Sequence, residues 1–157
     1  MKWETYSIDF WKQRIRGAGK YLNYIYYQTN PLNWDKIERV HKEIIKKERV
    51  EGKILDAGCG HGRISNWFDD YTGVDFSPDL IEIGKRENPD KRFIQADLKK
   101  LPFKDKEFDW AICISIRHMV IRDSGQEEWN KIEKELKRVS KKILILDYSS
   151  PSEYEIL

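Results

Sequence analysis

Long apolar runs are missing from this chain. No stretch of about 18 apolar residues occurs and mean hydropathy is −0.75, so no membrane span is expected. The N-terminus interleaves charges with aromatic rings and lacks the apolar core of a secretory signal. Cysteine is scarce. Cys59 and Cys113 are the two present, and their places at two expected strand ends suit a reducing compartment better than a disulfide framework. Internal repeats and low-complexity tracts are absent as well. These absences lead to the expectation of a cytoplasmic chain. Length sets the remaining bound: 157 residues suffice for one domain with a real core, but not for a cofactor domain plus a separate substrate domain.

Charge of both signs is plentiful at 36% of residues, with Lys and Glu prominent, a balance compatible with a thermophile. The net charge of +2 hides a gradient, because residues 1–50 carry 11 Lys/Arg against 6 Asp/Glu whereas residues 51–157 carry 18 against 21. In residues 1–32, bases such as Lys12, Arg14, Arg16 and Lys20 alternate with aromatics such as Trp3, Phe10, Trp11 and Tyr24. Stacking rings among cations would suit a nucleic-acid surface. A flap of one or two helices, its rings packed over a cofactor, is the preferred reading. From Trp34 to Arg49, the positions Ile37, Val40, Ile44 and Ile45 form one apolar helical face, with His41 beside it in a packed or half-exposed role. Residues 1–50 thus supply flap and first helix and residues 51–157 an α/β core, all within one domain.

What the sequence does contain is a cluster of glycines. Lys53 to Arg63 reads KILDAGCGHGR, an apolar strand ending in Asp56 and running into Gly58, Gly60 and Gly62. Glycine reaches positive φ without steric cost and lets a ligand lie against bare backbone, so three in five positions imply a tight turn under a bound molecule. Ile64, Trp67 and Phe68 predict a helix after it. The spacing departs from the G-x-G-x-x-G of dinucleotide enzymes, since Arg63 follows Gly62. No Gly-Lys-Ser/Thr follows, which excludes a P-loop.

Downstream, strands alternate with helices. Tyr71 to Asp75 predicts a second strand, and Ser77-Pro78 the N-cap and first position of a helix that Asn88-Pro89 ends. Arg92 to Asp97 and the apolar Phe108 to Ser115 predict a third and a fourth strand, the latter buried on both faces. Ser124 to Glu127 fits a capping box for a helix presenting Trp129, Ile132, Leu136 and Val139, and Lys142 to Asp147 predicts a fifth strand. This alternation implies right-handed crossovers and a doubly wound, mostly parallel sheet. In such a sheet a ligand lies beyond the carboxyl ends of the strands. There Asp56, Asp75 and Asp97 close three successive strands, and Cys113 and Ser115 end the fourth. An acid after the second strand suits a ribose diol; one after the third can reach the exocyclic amine of an adenine.

ILDAGCGHGR, GVDFSPDLIEIGKR, FIQADLKKLPFKDKEFDWAICISIRHMV and LKRVSKKILILDY together resemble, in order and spacing, the motifs of ubiquinone-biosynthesis-like class I S-adenosylmethionine-dependent methyltransferases. The resemblance covers about residues 54–147 and implies a Rossmann-like methyltransferase fold with S-adenosyl-L-methionine as cofactor. It implies that Asp56, Ala57, Gly58, Cys59 and Gly60 border the methionine part, that Asp75 holds the ribose hydroxyls and that Phe76 lies against the adenine. Asp97 and the backbone of Leu98 would read the adenine edge, and Cys113 would sit by the sulfonium. Asp109 and Asp147 are taken as structural.

Methyl transfer from a sulfonium needs positioning and exclusion of water more than acid or base. A base is required when the acceptor must lose a proton, and His118, just past the fourth strand, is the candidate general base. His61 is assigned no chemistry. A metal site made of Cys59, His61, Cys113 and His118 matches no compact zinc pattern, so none is assigned. Where DNA amino methyltransferases carry an Asp/Asn-Pro-Pro-aromatic motif, this chain has Cys113 to Arg117, which argues against that subclass. A small-molecule acceptor is preferred, RNA comes second through the basic first third, and no membrane partner is expected. A cofactor-binding, non-catalytic scaffold or subunit is the alternative class, and a nicotinamide oxidoreductase is a distant third. The family's sheet runs on past the fifth strand into a helix and an antiparallel hairpin, for which ten residues are too few. The sheet is therefore expected to be truncated there, its apolar edge covered by the tail 152–157, by the flap or by a second copy in a homodimer.

Overall fold

A computed structural model describes residues 31–147, 150 and 152–157, with side chains from residue 36 onward. Of the segment 1–32 read as an aromatic and basic flap, residues 1–30 lie outside the described residues. The elements are α1 (Pro31–Lys47), β1 (Ile54–Ala57), a 3-10 turn (Ser65–Trp67), β2 (Tyr71–Asp75), α2 (Pro78–Glu87), β3 (Arg92–Gln95), β4 (Phe108–Ile114), α3 (Ile116–Ser124), α4 (Gln126–Val139), β5 (Ser140–Leu146) and β6 (Tyr154–Ile156). They build one six-stranded sheet in the order β3-β2-β1-β4-β5-β6. The first five strands are parallel, with Asp56 opposite Gly73 on one side and Ile112 on the other. The order reverses between β1 and β4, which puts a topological switch point at the glycine turn.

The central strands β1, β2 and β4 are buried almost throughout, so the middle of the sheet is covered on both sides. On one side Ile44 of α1, Ile64, Phe68 and Ile81 of α2 pack on Ile54, Tyr71, Ile112 and Leu144. On the other, Trp129, Ile132, Leu136 and Val139 of α4 meet Leu55, Val74, Ala111, Cys113 and Ile143. The α4 face is the one its spacing predicts. Ser77 caps α2 as expected, its Oγ accepting the Leu80 N–H at 3.3 Å with Pro78 at the first position. Asn88 closes that helix.

Four expectations need correction. No α-helix follows the glycine turn: eight residues separate Gly62 from β2, too few for a full crossover helix. Bonds from Ser65 N to Gly62 O and from Trp67 N to Ile64 O, both 3.0 Å, wind them into one tight turn. Ser124 is no N-cap, because an α3 unforeseen in the sequence runs through it. Gly125, at φ 90°, closes α3 by donating its N–H to Ile121 O at 3.0 Å and then starts α4 without a side-chain cap. β3 stops at Gln95 and leaves Asp97 in the loop beyond. Last, the sheet does not end at β5. Of the three covers expected for its edge, the tail supplies one: β6 pairs antiparallel with β5, Leu144 facing Ile156 and Leu146 facing Tyr154.

Candidate cofactor site

The turn at the end of β1 needs its glycines. Gly58, Gly60 and Gly62 have φ of 78°, 56° and 84°, the region where a side chain is strained. Two of them are also enclosed. A Cβ on Gly58 would lie 2.4 Å from Ile116 Cδ1, and one on Gly62 would lie 2.4 Å from Phe93 Cζ. Gly60 differs, with nothing within 4 Å of where its Cβ would be. It is the point where bare backbone faces open space.

Two strands hold this turn. Gly58 N and Cys59 N donate to Val74 O at 2.8 and 2.9 Å. Asp75, at the tip of β2, accepts the Gly60 N–H through Oδ2 at 3.0 Å and the Ser77 N–H through Oδ1 at 2.9 Å. Its carboxyl is buried, and burial pushes its pKa up despite those amides. Beside it Phe76 is 44% exposed, an unusual setting for a phenyl ring.

Asp56 lies underneath, 4% exposed, with the Tyr71 hydroxyl donating to Oδ2 at 2.7 Å. Desolvation pushes its pKa to about 7, partly offset by that hydrogen bond and by Arg63. Tyr71 was not singled out from the sequence, although Gly73 carries a signal for it. A Cβ on Gly73 would lie 2.8 Å from Cys59 Sγ and 2.9 Å from the Tyr71 oxygen, so the bare position in β2 makes room for both groups next to Asp56. Burial raises the Cys59 and Tyr71 pKa values as well. Both groups are neutral at neutral pH.

The structure therefore gathers Asp56, Gly58, Cys59, Gly60, Asp75 and Phe76 at one corner. Ala57 and Cys113 lie below it in the core, each 0% exposed, with the Cys113 thiol donating to Ala57 O at 3.7 Å. Leu98 packs at the margin of the α4-side core. Asp97 is exposed; its Oδ1 accepts the Lys99 N–H at 2.9 Å and its other oxygen lies 3.8 Å from Lys99 Nζ. His61 sits 3.5 Å from Glu87, and burial lowers its pKa. Asp109 anchors Lys53 N at 2.8 Å and Lys141 at 2.7 Å, a structural role. His118 stands apart on the first turn of α3, where its Nδ1 pairs with Asp147. Asp147 closes β5 as the other acids close their strands, which was the available clue to it.

An adenosyl sulfonium fits this corner. Open backbone at Gly60 gives it a place to lie, and the carboxyl of Asp56, held near neutral pKa by burial, would gain from a cation above it. An open α/β sheet with a glycine turn and a strand-closing acid at its switch point is a nucleotide-cofactor fold. Residues 55–144 match the family described as methyltransferase domain. The uncharacterized protein MJ1252 of Methanocaldococcus jannaschii is 33% identical over 109 residues, 68% of this chain and 43% of that one. Demethylmenaquinone methyltransferase of Staphylococcus saprophyticus is 32% identical over 136 residues, 78% and 55% of the two chains. Among solved structures, the PH0226 protein of Pyrococcus horikoshii has a TM-score of 0.62 at 30% identity, over 78% of this chain and 65% of that one. This chain belongs to the methyltransferase domain family, within the class I S-adenosylmethionine-dependent methyltransferases. It spans about half the length of the curated relatives it matches.

Proposed function

We propose that the chain binds S-adenosylmethionine over Gly60 and moves its methyl group to a small-molecule acceptor. The observation that carries this reading is the bond from Gly60 N to Asp75 Oδ2 at 3.0 Å, which ties the one open glycine of the turn to the acid beside it. Bound there, the cofactor supplies an electrophilic methyl group on a positively charged sulfur. Asp75 has lone pairs left to accept from a ribose diol, and the exposed Phe76 ring offers a face to adenine. Asp97 and Leu98, on the loop after β3, would close on the adenine edge. Asp56 would offset the cation, while the apolar groups around Cys113 and Ile116 keep water from the reacting carbon. His118 is the base for an acceptor that must lose a proton.

Relatives named fatty-acid O-methyltransferase, from Mycolicibacterium smegmatis and 31% identical over 121 residues, and demethylmenaquinone methyltransferase support a small organic acceptor. RNA ranks below it. Two buried free thiols support a cytoplasmic location, and among the described residues no helix is long and apolar enough to cross a membrane.

Calorimetry with S-adenosylhomocysteine and transfer of labelled methyl to a fractionated extract test the proposal together. Binding plus label in the small-molecule fraction is expected. Absence of binding overturns it; binding with label in RNA, or with no transfer, replaces the acceptor class or the catalytic role.

A further inference from the structure

A second hollow opens at the same end of the sheet. It has a volume of about 280 Å³ and lies between the start of α3, the end of β5 and the tail carrying β6, close to the ~300 Å³ at which small-molecule pockets begin. Ile116, the residue before its lining begins, reaches the glycine turn. That side chain sits over Gly58, and the next two residues, Arg117 and His118, line the hollow.

Within it His118 Nδ1 pairs with the Asp147 carboxylate. Asp147 is itself held in place: its carbonyl accepts from His41 Nε2 at 3.3 Å, and the preceding Leu146 carbonyl accepts the Ser115 N–H at 2.8 Å. A carboxylate fixed at a strand end thus sets the ring of a half-exposed histidine. Such an arrangement engages Nδ1 and leaves Nε2 as the proton acceptor.

Charge limits what enters. Among the described residues, Asp147, Glu153 and Glu155 outnumber Arg117, which is already paired with Glu155; Arg122 and Asp123, further along α3, bond each other. Carboxylates and phosphates are therefore repelled. An amine is admitted, but the same carboxylates hold it as its non-nucleophilic ammonium ion. A neutral hydroxyl compound meets neither obstacle.

Resting on the methyltransferase reading above, we propose that this hollow is the acceptor subsite, that it takes a neutral hydroxyl compound, and that His118 removes the hydroxyl proton while Asp147 positions its ring. The O–H proton passes to Nε2 and an oxygen lone pair forms the bond to the methyl carbon. The carbon–sulfur bond breaks with its electron pair left on sulfur, now uncharged. The imidazolium, beside Asp147, returns its proton to water.

The test uses three ring compounds of one size, p-cresol, benzylamine and benzoate, titrated into the full chain saturated with S-adenosylhomocysteine. Nuclear magnetic resonance follows Ile145 and Tyr154 and the ring nitrogens of His118. We expect p-cresol to shift both residues and to bind about tenfold or more tightly than benzoate, and Asp147→Asn to change the His118 tautomer while leaving S-adenosylhomocysteine affinity unaltered. Asp147→Glu should restore it. Equal or tighter binding of benzoate, methyl transfer to benzylamine but not to p-cresol once S-adenosylmethionine replaces S-adenosylhomocysteine, shifts confined elsewhere, or a tautomer indifferent to Asp147→Asn overturns the proposal. Loss of S-adenosylhomocysteine binding by the unmodified chain marks failure of the underlying reading instead.

Discussion

Asp75 fastens Gly60 from the neighbouring strand, its Oδ2 accepting the glycine N–H at 3.0 Å while Oδ1 takes the Ser77 N–H at 2.9 Å. One buried side chain thus fixes both the glycine turn and the entry to α2. Asp75→Ala leaves the Gly60 and Ser77 donors without this partner, and at the buried Ser77 N–H the loss costs about 1–3 kcal/mol. Asp75→Asn keeps the shape but turns an amide toward one of those donors. Denaturant titration should show Asp75→Ala less stable by about 2 kcal/mol or more, with Asn intermediate. Calorimetry should find S-adenosylhomocysteine affinity reduced roughly 10- to 100-fold in both, the worth of a charge-assisted hydrogen bond. Unchanged affinity in Asp75→Asn would remove Asp75 from the cofactor site.

The three glycines separate strain from ligand contact. Gly60→Ala adds a methyl to open space at φ 56°, so its cost is the backbone strain alone, about 1–2 kcal/mol. That methyl occupies the place assigned to the cofactor, and binding should fall at least about tenfold. Gly58→Ala and Gly62→Ala bear the same strain and also push against Ile116 and Phe93 at 2.4 Å. Overpacking adds about 1–3 kcal/mol. Thermal unfolding should therefore rank Gly60→Ala as the mildest, and Ile116→Ala should recover part of the loss in Gly58→Ala. A Gly60→Ala chain that binds normally would move the ligand off the turn.

Much of this was readable because strand ends and glycine spacing are local properties. Asp56 and Asp75 follow apolar runs that admit few other structures, and the α4 face repeats at helical spacing over three turns. What escaped depends on pieces far apart in the chain. Tyr71 reaches Asp56 because Gly73 is bare, a cross-strand relation that a linear pattern does not display. The tail is one of three covers expected for the β5 edge, and it is the pairing of β6 with β5, not anything local to a three-residue strand, that selects it. Apolar spacing at Ile64, Trp67 and Phe68 does mark buried or partly buried groups, but the connection is too short for the helix such spacing predicts. The pairing of His118 with Asp147 needed both the αL turn at Ser115, φ 57°, and the parallel alignment of β4 with β5.

His41 gives the fold a defined acid sensitivity. It is wholly buried against Asp147 O, and desolvation lowers its pKa from 6.5 to about 4. The unfolded imidazole thus binds a proton below about pH 6.5 and the folded one below about pH 4. Stability contributed by this group falls as pH drops through that window and levels off beneath it, by up to about 3 kcal/mol. Asp56 acts in the opposite sense: its carboxyl, raised from 3.8 to about 7, makes stability fall as pH rises through that range. The two are separated by comparing the native chain with His41→Gln in denaturant titrations from pH 7 to pH 4. The stability difference should narrow by about 3 kcal/mol on acidification. A constant difference would show that His41 does not govern the acid limb.

β6 shields an edge that is apolar along most of its length. Ile143, Leu144, Ile145 and Leu146 are all buried, and the tail completes their pairing with reciprocal bonds of 2.9 and 3.0 Å between Ile143 and Leu157. Tyr154 clamps that tail to α1, its hydroxyl accepting from Lys47 Nζ at 2.8 Å and donating to Glu48. Removing residues 152–157 bares a row of unsatisfied donors and acceptors beside aliphatic side chains, a template for pairing with another copy. Light scattering during size-exclusion chromatography should show the shortened chain associating as its concentration rises, whereas Tyr154→Phe, which loosens the clamp but leaves the strand, should resemble the full chain. Circular dichroism confirms that the shortened chain is folded under those conditions. If it is folded and stays monomeric at every concentration, the edge needs no cover and β6 is dispensable to solubility.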